Sequence, residues 1–410
     1  MKYVIVGASA AGLNAARTLE SLDPQGEITI LSAEEVFPYS KMSLPYLLSN
    51  KLKKRDYLFL PHPSKAKLLL GQRVVKLDIE RKKVETVKNK TFSYDKLLIA
   101  TGAEPYVPDM ELEGSPLVLT VRNLSDMDKL KDKLKKSDVK RVILSGAGLV
   151  NSEIADALAE LKIPATFVIR SSRMLSQIVD EEGSEFIAER AIENGMELIT
   201  GESITKVQEK GDHANVFLTS GKIIQGSCVV VGKGVRPSID FLEKTPIKCD
   251  TGILVNEYLE TSVKDVYAAG DVTETKDLIS DEYEMHALWP VAMEQSRIAA
   301  TNMVGYSWKY PKEVSRNIVN LFGEVVFTGG ISKEDAYDVY KEKESRSYHK
   351  ILVRDGKLVG FVFVGDVLNP GVYLAAMKNQ WDVSHLLNEA IKGALSYSMF
   401  KAPTREVVNI

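Results

Sequence analysis

The sequence predicts an α/β protein with two parallel sheets wrapped by helices and a smaller α+β domain in its C-terminal part. The first observation is a pair of apolar runs ending in glycine, KYVIVG (2–7) and RVILSG (141–146). Each run is followed by an amphipathic helical stretch and then by a second apolar run, EITILS or ATFVIR. Strand–helix–strand units of this kind form parallel sheets. Their repetition about 140 residues apart predicts two nucleotide-binding domains of the Rossmann-like type.

The second observation is a change of pattern near residue 313. The segment KILVRDGKLVGFVFVG contains two β-runs around Asp355-Gly356, a dipeptide favoured in hairpin turns. Helical patterns follow at 371–379 and 383–395. The expected domains are a first nucleotide-binding domain over 1–112 and 243–312, a second over 113–242, and a C-terminal α+β domain over 313–410.

Composition excludes several classes of partner. Lys and Arg number 53 against 56 Asp and Glu, a net charge of -3, so neither nucleic acid nor an anionic membrane is an expected partner. No apolar run reaches the roughly 18 residues that span a bilayer. The start MKYVIVGASAAG lacks the layout of a signal peptide. We therefore expect a cytoplasmic protein with no membrane segment.

The first glycine-rich turn, GASAAG, lies between a strand and a helix. A dinucleotide diphosphate needs a tight turn and a helix whose N-terminal amides face the phosphates. Glu34 follows the next strand, where an acidic side chain would hold a ribose hydroxyl. The small Ser9 replaces the usual middle glycine and still allows a close approach. The expected phosphate-binding residues are Gly7, Ser9, Ala10, Ala11 and Gly12.

The second turn, GAGLVN, keeps two of the three glycines of the pattern. Gly146 and Gly148 are present, but Asn151 stands where a third glycine lets helix and strand pack closely. We expect the helix to be slightly displaced from its usual position.

The coenzyme that this second domain prefers stays open. An NADH-selective site usually offers a carboxylate at the end of its second strand, and here the sequence continues IRSSR. Arg170 and Arg173 would attract a 2′-phosphate, although arginines at this place also occur in NADH enzymes. NADH and NADPH are both possible.

Four further segments follow the two turns in a characteristic order. With them, the sequence resembles the FAD-dependent pyridine nucleotide–disulfide oxidoreductase superfamily over about 300 residues. The segments are YDKLLIATGAEP (94–105), VVVGKGVRP (229–237), TSVKDVYAAGDV (261–272) and LWPVAMEQSRIAATNMVG (288–305).

The resemblance implies FAD in the first domain and a nicotinamide nucleotide in the second. It implies that Glu153 lies beside the flavin and the nicotinamide, and that the helix after Pro290 points its N-terminus at the flavin pyrimidine ring. A helix N-terminus there would stabilise the anionic reduced flavin. The implied FAD contacts are Thr101, Gly102, Gly270 and Asp271, and the implied nicotinamide-nucleotide contacts are Gly232 and Gly234.

The segment PYSKMSLPY indicates the branch of the superfamily. Relatives that reduce disulfides carry a cysteine here, and alignment on Leu44-Pro45-Tyr46 places Met42 at its position. A thioether forms neither a thiolate nor a mixed disulfide, so disulfide reduction is chemically implausible. The PYS-(K/R) start of this segment is similar to the same segment of NADH:rubredoxin and ferredoxin reductases. The resemblance implies that Lys41, at the basic position, contacts the FAD. Tyr46 departs from those ferredoxin reductases that carry a lysine there.

Cysteine and histidine usage gives no sign of a metal site. The chain has two cysteines, too few for an iron–sulfur cluster of its own. Cys228 lies in the apolar run SCVVVG and is expected in a buried strand. The five histidines are scattered without metal-ligand spacing.

These observations predict an FAD-dependent NAD(P)H dehydrogenase that passes electrons from reduced flavin to an iron protein. The acceptor would be rubredoxin, a ferredoxin or an iron–sulfur subunit of a larger complex, with Glu153 and Lys41 as the catalytic side chains. Two alternatives stay open: an NADH oxidase that reduces oxygen, and a non-catalytic FAD- and NAD-binding protein. A homodimer is possible, and Trp381 and Phe400 either line a contact surface or, more in keeping with aromatic residues, pack in the core.

Overall fold

The computed structural model describes residues 1–49, 51–52, 59–114, 118–135, 141–332 and 337–400. Its helices are α1 Ala10–Leu22, α2 Leu44–Leu48, α3 Leu124–Lys135, α4 Leu149–Glu160, α5 Glu181–Glu193, α6 Trp289–Met303, α7 Pro370–Lys378 and α8 Leu387–Ile391. None of these helices combines the length and apolarity needed to cross a membrane, a finding that covers the described residues only.

The strands alternate with the helices in the first part of the chain. They are β1 Lys2–Val6, β2 Glu27–Leu31, β3 Lys67–Leu69, β4 Val74–Asp78, β5 Lys83–Thr86, β6 Thr91–Ser93, β7 Lys96–Ile99, β8 Ala103–Pro105, β9 Glu111–Glu113, β10 Val118–Leu119, β11 Val142–Ser145, β12 Ala165–Ile169 and β13 Met196–Thr200. The later strands are β14 Ile204–Lys210, β15 His213–Leu218, β16 Ile223–Gly226, β17 Cys228–Val231, β18 Val235–Pro237, β19 Ile253–Leu254, β20 Val266–Ala268, β21 Thr273–Lys276, β22 Tyr283–Glu284, β23 Arg316–Leu321, β24 Glu324–Gly330, β25 Asp338–Lys343, β26 Tyr348–Arg354 and β27 Lys357–Val364.

The chain forms two compact units. The first contains Met1–Pro108, Thr120–Asp132 and Lys233–Glu313; the second contains Asp109–Leu119, Lys133–Gly232 and Val314–Ile410. The three-domain boundaries expected from the sequence stay a prediction.

The first unit is organised by a parallel five-stranded sheet in the order β20-β7-β1-β2-β3. Four consecutive residues of β1, Tyr3 to Val6, are buried, as expected of a strand covered on both faces. Leu13, Ala16 and Leu19 form the buried stripe of α1. The helices α1 and α6 pack together, and the Asn14 amide of α1 donates to the Met293 carbonyl of α6 at 2.7 Å.

The second unit contains a parallel sheet of the same kind, in the order β10-β17-β11-β12-β13. Cys228 lies in its strand β17 and is fully buried, as the sequence predicted. A four-stranded sheet, β16-β15-β14-β9, accompanies it. The repeated parallel sheet confirms the α/β class with two Rossmann-like domains.

The last part of the second unit is an antiparallel sheet in the order β23-β24-β27-β26-β25, with α7 and α8. The predicted hairpin at Asp355-Gly356 is confirmed, and both residues adopt the positive φ that this turn requires, 51° and 73°. The predicted helix at 383–395 is shorter, because only Leu387–Ile391 is α-helical. This domain has the predicted α+β architecture.

The aromatic side chains of this C-terminal domain cluster in two places. Phe361 and Phe363 stack with ring centroids 5.2 Å apart, and both contact Tyr373 of α7. Trp381 and Phe400 contact each other at 4.6 Å and are both half-buried. Their mutual packing agrees with a core role more than with a fully exposed contact surface.

A buried charge cluster ties the C-terminal sheet to α5. Asp180 caps α5 by accepting from the Gly183 amide, and its second oxygen lies 3.0 Å from Lys350 Nζ. The Tyr348 hydroxyl donates to the same oxygen at 2.6 Å. Lys350 is fully buried, and its ammonium group also donates to the Ser332 carbonyl at 2.8 Å. The cluster therefore joins the C-terminal sheet to the N-terminus of α5.

Candidate functional site

The first glycine-rich turn lies between β1 and α1 and is built by two close backbone contacts. A Cβ atom on Gly7 would lie 2.0 Å from the Ala100 carbonyl oxygen, and Gly7 has φ +114°. A Cβ atom on Gly12 would lie 1.9 Å from the Gly7 carbonyl oxygen. Neither position therefore accepts a side chain without a shift of the backbone. The two glycines bring the start of α1 directly against the ends of β1 and β7.

The N-terminal turn of α1 is free to receive an anion. Ser9 is the N-cap residue, but its side chain makes no capping hydrogen bond, and the first turn contains no acidic residue. The first amides and the positive end of the helix dipole are thus not neutralised from within the helix. Ala10 and Ala11 add only small side chains, 7% and 6% exposed. This turn fits a diphosphate group.

Glu34 and Lys41, predicted to contact the cofactor from different segments, are brought together. Lys41 Nζ lies 2.8 Å from Glu34 Oε1, and the Tyr39 hydroxyl donates to Glu34 Oε2 at 2.6 Å. The Tyr39 oxygen in turn accepts from the Leu124 amide at 3.0 Å. Burial and the neighbouring Glu34 carboxylate raise the pKa of Tyr39, so it stays a donor. The Glu34 carboxylate, just after β2, is therefore held by Lys41 at one oxygen and by Tyr39 at the other.

The ends of β7 and β20 contribute a second group of predicted residues. The Thr101 hydroxyl donates to the Ser238 carbonyl at 2.9 Å, and Gly102 adopts φ +67°. Asp271 follows β20, and its Oδ2 lies 3.0 Å from the Arg122 guanidinium.

Arg122 was not identified from the sequence. Its Nε donates to the Ala103 carbonyl at 2.9 Å, and an ideal Cβ of Gly102 lies 3.6 Å from Arg122 NH2. Arg122 therefore connects the segment after β7 with Asp271. The two segments are far apart in the chain, so no local pattern could have revealed this pair.

Gly270 places the start of α6 next to the start of α1. A Cβ on Gly270 would lie 3.4 Å from Ala11 Cβ and 3.5 Å from Ala292 Cβ. The Gln295 side chain accepts from the Gly270 amide at 2.8 Å. Because α6 also has no acidic residue in its first turn, two helix N-termini without acidic neighbours of their own adjoin this glycine. The residues of the first unit fit an anionic dinucleotide cofactor.

The second glycine-rich turn, between β11 and α4, is completed by an asparagine instead of a third glycine. Asn151 is fully buried, and its amide donates to the carbonyls of Ser145 and Gly146 at 3.0 and 2.8 Å. A Cβ on Gly232 would lie 2.5 Å from Asn151 Cγ. The asparagine thus fills the space beside Gly232 and ties the helix to the end of β11. Gly148 is the N-cap of α4.

Gly232 and Gly234 do not belong to the same unit. Gly232 directly follows β17 in the second unit, and its amide donates to the Ser145 carbonyl at 3.0 Å. Gly234 lies in the first unit with φ +94°, and its carbonyl accepts from the Tyr106 amide at 2.9 Å. The contact of both glycines with one nucleotide stays a prediction.

Glu153 lies on α4 in an environment that disfavours its charge. Burial and the negative charge of Asp156 raise the pKa of the Glu153 carboxyl from 4.5 to about 7. A carboxyl group with this pKa changes its protonation state near neutral pH, as proton-transferring groups often do.

The segment that would hold a redox cysteine in disulfide-reducing relatives presents no sulfhydryl group. Met42 lies in a 3-10 turn, Lys41–Ser43, and is 58% exposed; Tyr46 is 48% exposed. Burial raises the pKa of the Cys228 thiol to about 12, and burial also raises that of Cys249. Neither thiol is activated as a nucleophile.

One group of side chains in the described part of the chain has the spacing of metal ligands: Asp277, Glu284 and His286. The sequence predicted no metal site, because the histidines are scattered. The hairpin that brings the carboxylates of Asp277 and Glu284 together is not evident from the sequence. His286 Nε2 lies 3.0 Å from Asp277 Oδ2, the distance of an ordinary hydrogen bond. Although burial opposes it, hydrogen bonding from His286 and from the Ser280 and Ile279 amides holds the pKa of Asp277 below its ordinary value. The geometry is that of a buried histidine–aspartate pair.

Comparisons with known proteins agree with this geometry. The model of the family described as pyridine nucleotide-disulphide oxidoreductase matches residues 1–296, and that of the rubredoxin NAD+ reductase C-terminal domain matches residues 317–381. The chain belongs to the pyridine nucleotide-disulphide oxidoreductase family. Membership confirms FAD and NAD(P)H as its cofactors and oxidoreductase as its enzyme class.

Three relatives align with most of the chain. The epsilon subunit of the NADH-dependent phenylglyoxylate dehydrogenase of Aromatoleum evansii is 26% identical over 405 residues, 96% of each chain. An NADH oxidase of Methanocaldococcus jannaschii is 27% identical and aligns with 80% of this chain and 75% of its own. The NADH-rubredoxin oxidoreductase of Clostridium acetobutylicum is 26% identical over 89% of this chain and 91% of its own.

The contact between Gly12 and Gly7 can be tested by adding one methyl group. Gly12→Ala should weaken FAD binding by at least about tenfold, because the new Cβ displaces the turn from the phosphates. FAD binding is measured as the flavin absorbance per protein chain that remains after reconstitution with FAD and gel filtration. Gly371→Ala is the matched control, since nothing lies within 4 Å of its Cβ position. Full flavin retention by a folded Gly12→Ala protein would contradict the assignment.

The raised pKa of Glu153 predicts a pH dependence of stability. Between pH 4.5 and about 7 the folded chain holds a proton that the unfolded chain has released. The free energy of unfolding should therefore fall as the pH rises through this range, by about 3 kcal/mol from this group. Glu153→Gln should remove that part of the decline, measured as the difference between urea denaturation curves from pH 4.5 to 8. The exposed Glu80→Gln should follow the wild type. Parallel curves for wild type and Glu153→Gln would show that this carboxyl is not perturbed.

Proposed function

We propose that the protein is an FAD-dependent NAD(P)H dehydrogenase that passes electrons from reduced flavin to an iron protein. The observation that carries this proposal is Met42, which occupies the place of the redox cysteine in a chain that otherwise keeps the family's two nucleotide motifs. Without a thiol at this place, a disulfide cannot receive the electrons by covalent exchange. The match of the C-terminal domain to rubredoxin NAD+ reductases supports an iron protein as the acceptor.

FAD supplies the redox chemistry, because a flavin accepts two electrons as a hydride and releases them one at a time. In this proposal the residues of the chain bind and orient the two cofactors. The α1 N-terminus and Ser9 hold the diphosphate, and Asp271, positioned by Arg122, accepts hydrogen bonds from hydroxyl groups of the cofactor. Lys41, held by Glu34, provides the positive charge near the flavin. Thr101, Gly102 and Gly270 leave room for the cofactor against the strand ends.

The second unit binds the nicotinamide nucleotide at the turn that contains Gly146 and Gly148. Gly232, packed against Asn151, presents its backbone to this turn, since a Cβ on Gly148 would lie 4.0 Å from the Gly232 carbonyl oxygen. Glu153, with its pKa near 7, lies one helical turn into α4, where it orients the nicotinamide and exchanges a proton. Gly234 is proposed as a further backbone contact.

The partner is a rubredoxin, a ferredoxin or an iron–sulfur subunit of a larger complex. The relative from Aromatoleum evansii is itself named as a subunit, and the full-length alignment supports the same role here. The relative from Clostridium acetobutylicum supports a free rubredoxin. A homodimer is the alternative assembly, and we place the protein in the cytoplasm.

An NADH oxidase is the second candidate, supported by the relative from Methanocaldococcus jannaschii. Such an enzyme would share every cofactor contact described here. Met42 would leave it without a thiol beside the flavin, so peroxide rather than water is its expected product.

The two candidates differ in how the reduced flavin is reoxidised. After anaerobic reduction with one equivalent of NADPH or NADH, stopped-flow mixing with rubredoxin or a ferredoxin should restore the flavin band much faster than mixing with air-saturated buffer. Coenzyme A disulfide should have no effect. Met42→Leu should leave all three rates unchanged, since the thioether takes no part in the transfer.

Each of the other outcomes points to a different function. Reoxidation by oxygen that exceeds that by every iron protein would favour the oxidase. Failure of either nicotinamide nucleotide to reduce the flavin would leave a non-catalytic binding protein. A loss of transfer in folded Met42→Leu would give Met42 a role that the proposal denies.

A further inference from the structure

The loop that follows β12 combines three features that bear on the coenzyme. It begins at Arg170 and runs to Val179, and no carboxylate occurs between residues 161 and 179. In nucleotide-binding domains of this kind, the residue at the end of the second strand distinguishes a ribose 2′-hydroxyl from a 2′-phosphate. Here that place is taken by Ile169, which is apolar and only 3% exposed. Residues 161–179 therefore offer no carboxylate that would accept from the hydroxyl and no negative charge that would repel the phosphate.

The loop lies beside the second glycine-rich turn. The Leu175 amide donates to the Ala147 carbonyl at 2.9 Å, so the end of the loop is attached to the turn itself. The strands β11 and β12 are parallel neighbours, with Ser145 opposite Val168. The loop and the turn thus leave the same edge of one sheet, as required for contacts with the two ends of an adenosine diphosphate.

The two arginines of the loop have guanidinium groups available for an anion. Arg170 is exposed and makes no hydrogen bond or ion pair within the described residues. In the same described part of the chain, the Arg173 guanidinium makes one hydrogen bond, from Nε to the Val179 carbonyl at 3.5 Å. The Ser171 hydroxyl donates to the Arg173 carbonyl at 2.9 Å and shapes the turn between the arginines. Guanidinium groups bind phosphate oxygens through paired, charge-assisted hydrogen bonds, and this short loop carries two of them.

A carboxylate beside the end of β12, that of Glu202, is engaged elsewhere. The Glu202 amide donates to the Ile169 carbonyl at 3.0 Å, which places Glu202 next to the strand end. Its side chain, however, accepts from the Ser220 amide at 3.0 Å and from the Thr219 hydroxyl. It is bound to the β15–β16 turn and does not neutralise the loop.

We infer that this chain selects NADPH over NADH, with Arg170 and Arg173 binding the 2′-phosphate of the adenosine. This inference rests on the proposed function, because it names the coenzyme of the nicotinamide-nucleotide site. Each arginine contributes a charge-assisted interaction that NADH cannot make.

Calorimetric titration of the FAD-loaded protein with 2′,5′-ADP and with 5′-ADP tests the inference without turnover. The wild type should bind 2′,5′-ADP at least about tenfold more tightly. Arg170→Ala and Arg173→Ala should each lower that affinity by about tenfold and leave 5′-ADP affinity unchanged. Lys222→Ala, which removes an exposed charge from the β15–β16 turn, is the matched control and should change neither. The ratio of kcat/KM for NADPH and NADH should change in parallel.

The outcomes separate this inference from the proposed function. Equal affinity for the two nucleotides, or 2′,5′-ADP binding that ignores both arginine substitutions, would overturn the 2′-phosphate site and leave the dehydrogenase intact. Absence of binding by either nucleotide would instead remove the nicotinamide-nucleotide site and the proposed function with it. Arg170→Lys should keep part of the 2′,5′-ADP affinity if charge is what matters.

Discussion

The close backbone contact at the first glycine-rich turn is the constraint on which the rest of the first unit depends. Gly12 approaches the Gly7 carbonyl and Gly7 approaches Ala100, both at distances that no side chain allows. This contact sets the start of α1 against the ends of two central strands, so its free amides face outward at the sheet edge. Without it, the start of α1 would not lie against these strand ends.

Charged side chains at this edge of the first unit's parallel sheet form ion pairs with each other. Lys41 is held by Glu34, and Arg122 by Asp271, at 2.8 and 3.0 Å. Each pair is partly buried, which keeps its geometry defined and leaves one acidic and one basic group available to a bound molecule. The second unit differs, because the arginines of its loop have no acidic partner within the described residues. Ion pairs that are already formed in the first unit suit a cofactor that stays bound there. Arginines without an acidic partner in the second unit suit a coenzyme that binds and leaves.

The sequence predicted most of the backbone and only part of the site. Strand–turn–helix motifs are local, so the two parallel sheets, the Asp355-Gly356 hairpin and the positions of Gly7 and Gly146 could be inferred from spacing alone. Arg122 and Tyr39 could not, since their contacts join segments remote in the chain. Asn151 was expected to displace its helix, which stays a prediction; its buried amide donates to two carbonyls at the strand end. The histidine–aspartate pair at His286 was not predicted, because the β21–β22 hairpin that brings its two members together is not evident from the sequence pattern.

Amide hydrogen exchange of the apoprotein before and after reconstitution with FAD tests the central claim most directly. If the α1 N-terminus binds the cofactor diphosphate, FAD should protect amides in the segments 7–16 and 268–275 and leave those of the second turn, 146–152, unchanged. Protection confined to the second turn, or no protection at the first, would contradict the account.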